Sequence, residues 1–149
     1  MMNKLHAGFR RVNVTPMMGI GLSGYFKERY ADGVLDELEI NALALACGEE
    51  KLVLLTIDNL GLEREITTDF RQHISEVTGV PMEAIYIHST HTHTGPFMKK
   101  DSEDILEKEY YQIVYRKMAD VVQMALEDLK PAQMGFGIGQ APNIAFVRR

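Results

Sequence analysis

Lys51-Leu52-Val53-Leu54-Leu55-Thr56-Ile57-Asp58 is a short, nearly continuous apolar run that ends on a carboxylate. From Leu62 the period changes. Leu62, Ile66, Phe70, Ile74 and Val77 recur every three or four residues, with Glu63, Arg64, Glu65, Asp69 and Arg71 between them. Gly79 and Pro81 stop that pattern, and Ala84-Ile85-Tyr86-Ile87-His88 returns to β-type residues. A strand, an amphipathic helix and a second strand are the expectation, with the first strand buried on both faces.

Outward from this unit, Leu5 to Thr15 alternates and meets Pro16, which reads as a strand entering a turn. Residues 17–33 are Gly- and Met-rich and read as a loop, and Ile40 to Cys47 reads as another strand. Leu106, Tyr110, Ile113, Val114, Met118, Val121, Val122, Ala125 and Leu129 form one helical stripe, ended by Lys130-Pro131. Ser102 or Asp101 is the expected cap, and Asp101 to Glu109 the solvated first turns. Gln133 to Val147 reads as one or two glycine-interrupted strands. Gly135, Gly137 and Gly139 would share one face, passing close under another element. Such alternation predicts an α/β fold, a mixed or parallel sheet flanked by helices. No linker or repeat divides the 149 residues, so a single domain is expected.

Composition narrows the function. The 16 Lys and Arg against 21 Asp and Glu, net −5, argue against a nucleic-acid partner, which needs a concentrated basic face. One cysteine, Cys47, excludes a disulfide framework and CxxC-type sites. No apolar run approaches the roughly 20 residues of a membrane span. The opening residues lack the apolar core of a secretory signal, so a cytoplasmic protein is expected.

His88-Ser89-Thr90-His91-Thr92-His93-Thr94-Gly95-Pro96 holds three of the five histidines. Neutral imidazole is a good ligand for zinc and similar ions, and in extended backbone His91 and His93 would face one point. The small hydroxyl residues between them can orient a ring through its second nitrogen. Asp58, at a strand end, is a candidate third ligand or a helix cap. His73, on the amphipathic helix, reads as structural. A catalytic zinc normally has three protein ligands, and no histidine follows Pro96. Gly19-Ile20-Gly21-Leu22-Ser23-Gly24 matches GxGxxG, but Pro16 precedes it and no long apolar helix follows, so a loop is the better reading than a nucleotide site. Met17, Met18 and Met98 flank the histidines and could form an apolar rim for an acyl chain.

Thr90-His91-Thr92-His93-Thr94-Gly95-Pro96 resembles the Thr-His-Thr-His-Ser-Gly-Pro signature of the neutral/alkaline non-lysosomal ceramidase family. Ala7-Gly8-Phe9-Arg10 with Val14-Thr15-Pro16, then Gly24-Tyr25, then Val53 to Asp58, are similar to further landmarks of that family in the same order. Arg148-Arg149 resembles an Asn-Arg-Arg segment, with Val147 where Asn is expected. The resemblance implies an α/β hydrolase with one zinc ion that activates water against the amide bond of a lipid. It implies His91 as a zinc ligand, His93 as a catalytic group beside the metal that positions water or substrate, and Arg148 or Arg149 near the developing oxyanion. The family's further His, Glu and Tyr ligands lie beyond the signature, after residue 149, and its Ala-Arg-Ala appears here as Asn41-Ala42-Leu43. The chain is therefore expected to resemble the N-terminal portion of a larger hydrolase, with weak zinc binding and little hydrolysis by itself. The alternative is a noncatalytic binding or assembly domain on the same fold. Bare sheet edges and apolar faces predict a homo-oligomer.

Overall fold

The structure is a computed structural model, and it describes residues 4–142 and 144. The strands are β1 (Leu5–Asn13), β2 (Glu39–Cys47), β3 (Glu50–Ile57), β4 (Ile85–Ser89) and β5 (Lys130–Pro131). The helices are α1 (Arg64–Thr78) and α2 (Ile105–Glu127). They form a five-stranded mixed sheet in the order β4-β3-β2-β1-β5, antiparallel except for the parallel pair β3 and β4. That parallel pair, joined through α1, is the strand-helix-strand unit legible in residues 51–88.

Both helices pack on one face of the sheet. Ile40, Ala42 and Ala44 of β2 and Val53, Leu55 and Ile57 of β3 point to that face and are buried. They meet Ile66, Phe70 and Ile74 of α1 and Tyr110, Val114, Met118, Val121, Val122 and Ala125 of α2. β1 crosses so close to α2 that a Cβ on Gly8 would lie 2.0 Å from the Ala125 carbonyl oxygen. Glycine is what permits this contact. His73 stacks on Tyr115 with ring centroids 4.0 Å apart, a structural role.

Several expectations need correction. β3 is buried on one face only, because no described helix covers the other: Leu52 and Leu54 are exposed. The register Phe9↔Leu43↔Leu54↔Tyr86 places four apolar or aromatic residues in one row across that open face. The cap of α2 is Asp104, whose carboxylate accepts from the Leu106 and Glu107 amides. Ser102 supports it from outside the helix by donating to Glu107 Oε2 at 2.6 Å, which leaves Glu107 buried rather than solvated. After β5, the described tail forms no strand. A Cβ at Gly135, Gly137 or Gly139 would meet no described atom within 4 Å, so these glycines pass under no described element. No described helix is long and apolar enough to cross a membrane.

Candidate metal centre

Topology decides where the functional loops meet. Asn13 pairs with Glu39, Ile40 with Ile57, and Ile57 with Ser89, so the segments 14–38, 58–63 and 90–104 leave the sheet at the same end. Ligands of open α/β sheets collect beyond such strand ends. The three loops are also tied together. Ser23 donates from its amide and its hydroxyl to the Gly95 carbonyl, both at 3.0 Å, and Thr90 N donates to Ile57 O at 3.0 Å. Ile20 is fully buried and Leu22 forms a bridge with Pro96. The Gly-rich loop is a structural wall of the histidine turn.

His91 and His93 are both exposed, with ring centroids 5.2 Å apart and planes at 83°. Their approach does not come from extended backbone. β4 ends at Ser89, His91 adopts the left-handed conformation with φ 65°, and residues 93–94 form a turn. The strained residue swings one ring toward the next.

Each ring is anchored through one nitrogen. His91 Nδ1 lies 2.6 Å from Leu60 O, and His93 Nδ1 lies 2.9 Å from Gly24 O. A carbonyl only accepts, so in both rings Nδ1 carries the proton and donates it. Nε2 of each neutral ring therefore keeps its lone pair, the arrangement that orients a metal-ligating imidazole. Two imidazoles on a tetrahedral ion at about 2.0–2.1 Å have ring centroids roughly 5 Å apart. The 5.2 Å separation of the two rings matches that spacing. Among the described residues no group of three His, Cys, Asp or Glu is placed to complete one.

Asp58 serves the sheet instead. Its carboxylate accepts from Glu39 N at 2.9 Å while its own amide donates to Glu39 O at 3.0 Å, which closes the start of β2. It does not cap α1, whose N-cap is Glu63 without a side-chain bond. Beneath this loop, burial pushes the Tyr110 phenol well above its ordinary range, and the Asp58 charge adds to the shift. His88, by contrast, turns to its own neighbourhood, with Nδ1 2.8 Å from Ser89 O.

A cavity of about 620 Å³ opens beside the turn. Thr92, Thr94 and Asp58 line one side, and Met18, Leu22 and Leu35 contribute apolar wall. The threonines on either side of His93 line it, and their hydroxyls bond each other at 2.9 Å. Met18 lines this cavity, whereas Met98 is buried in the core. Arg148 and Arg149 lie outside the described residues. Sequence reasoning missed Leu60 and Gly24 as the anchors of the rings, because a backbone carbonyl leaves no residue-type signal.

No family model matches the chain, and no curated protein matches it. Solved structures do. Neutral ceramidase from Pseudomonas aeruginosa superposes with a TM-score of 0.74 at 18% identity, covering 87% of this chain and 22% of that one. The chain shares its fold with part of neutral ceramidase. A ceramidase complexed with C2 gives the same TM-score and coverage at 16% identity. The chain thus spans about a fifth of the ceramidases it matches, and the likeness is one of fold.

Proposed function

We propose that residues 1–149 form one α/β unit of a zinc-dependent amide hydrolase acting on an N-acyl lipid. The observation that carries this reading is the paired anchoring of His91 and His93, which presents two unprotonated Nε2 atoms. The ceramidase fold of the chain supports it. When bound, zinc supplies an acidified water and a polarised carbonyl. His91 holds the ion, and His93 holds it or positions water beside it. The cavity next to Thr92 and Thr94 accepts the acyl region against Met18, Leu22 and Leu35. Arg148 or Arg149 brings a cation to the oxyanion. The third ligand comes from sequence beyond this chain, so the chain alone binds zinc weakly and hydrolyses little.

A second reading rests on the open sheet face. The row Phe9, Leu43, Leu54 and Tyr86 suits a binding or assembly domain that pairs with another copy or another layer. Metal analysis of the intact gene product, with activity on a panel of N-acyl lipids, separates the two. One equivalent of zinc and amide cleavage are expected. A metal-free product without amidase activity overturns the hydrolase reading in favour of assembly.

A further inference from the structure

The turn after β3 carries the carbonyl that decides the His91 tautomer, and one buried side chain shapes that turn. Asn59 is 1% exposed, and its Nδ2 donates to the Gly61 carbonyl at 3.2 Å. The side chain thereby closes a ring around Leu60 and restricts the peptide whose oxygen faces His91. The opposite amide orientation would set two oxygens against each other, so the donor assignment is chemically forced. The Asn59 main-chain amide donates to Ile57 O at 3.0 Å, the same carbonyl that accepts from Thr90 N at 3.0 Å. The turn and the histidine loop hang from one atom. The loop also rests on the turn: a Cβ at Gly95 would lie 3.5 Å from Asn59 Cα. Asn59 Oδ1 meets no donor among the described residues, so the amide is a poor source of stability. What it supplies is geometry.

We infer that Asn59 is a positioning residue for His91: it fixes the Leu60 carbonyl so that His91 keeps its proton on Nδ1 and offers Nε2. Its value for zinc binding rests on the metal reading above, whereas the tautomer itself does not. His93 is an internal control, because its anchor, Gly24 O, belongs to a different loop.

The test uses the metal-free, 15N-labelled chain and long-range 1H–15N spectra of the imidazoles, at a pH where both rings are neutral. In the wild type both rings show Nδ1–H. In Asn59→Ala and in the near-isosteric Asn59→Leu, which lacks the donor, His91 moves toward Nε2–H while His93 stays. Zinc affinity drops about tenfold to a hundredfold. An unchanged His91 in both variants overturns the inference, as does a change in both rings together, which would mark general loosening. Nε2–H on wild-type His91 overturns it even if neither variant folds. Should the tautomers follow expectation while the wild type binds no zinc, the metal reading fails and the role of Asn59 stands. Zinc binding with an unchanged His91 in the variants removes the role of Asn59 and leaves the metal reading in place.

Discussion

The carbonyl of Gly24 holds Nδ1 of His93 at 2.9 Å across 69 residues of sequence, and the bare Cα of that glycine lies against the ring it holds. A Cβ at position 24 would fall 2.5 Å from His93 Nδ1, at a backbone φ of +89°. Gly24→Ala therefore displaces the ring and strains the loop together. A loss of about 1–2 kcal/mol in urea unfolding is expected, with His93 losing its Nδ1–H tautomer. A variant with wild-type stability and an unmoved His93 spectrum would contradict the contact.

Phe70 lies fully buried between the helices, with its ring centroid 5.6 Å from that of Tyr111. Phe70→Ala should cost about 3–5 kcal/mol in denaturant unfolding. A loss below about 1 kcal/mol, far under the usual cost of such a truncation, would mean that α1 does not pack on α2 in solution.

Asp104 is the cap of α2, accepting from two backbone amides. Asp104→Ala should destabilise by roughly 1 kcal/mol, whereas Asp101→Ala should leave the unfolding midpoint nearly unchanged. Equal effects of the two substitutions would contradict the assigned helix start.

The Asp128 carboxyl is held below the ordinary carboxylate range by its bond to Lys130, by the Phe9 amide and by Arg10. A lowered folded-state value favours the fold above the unfolded-state value and loses that effect as acid protonates the group. The stability gap between wild type and Asp128→Asn should be full near neutral pH and close as pH falls below the usual carboxylate range. A gap that widens in acid would reverse the assignment.

The strand-helix-strand unit was legible because β3, α1 and β4 differ in hydrophobic period, and because Gly79 and Pro81 mark a clean stop. The histidine pair was legible from residue type. Its geometry was not, since the left-handed backbone of His91 and the carbonyls of Leu60 and Gly24 depend on contacts between distant loops. Burial of β3 on both faces was misread because a run such as Leu52-Val53-Leu54-Leu55 looks alike whether one or two layers cover it. The alternating glycines of the tail misled for a similar reason: a period of two permits a strand but supplies no partner.

Titration of the metal-free chain with zinc, followed through the imidazole nitrogens, tests the shared-ion claim most directly. Four-ligand structural sites supply about 10–16 kcal/mol, so a two-imidazole half-site should bind in roughly the millimolar to micromolar range. Saturable shifts at Nε2 of both His91 and His93, abolished in His91→Ala and in His93→Ala, are the expected result. No response at either ring, or nanomolar binding that survives loss of both histidines, would contradict it.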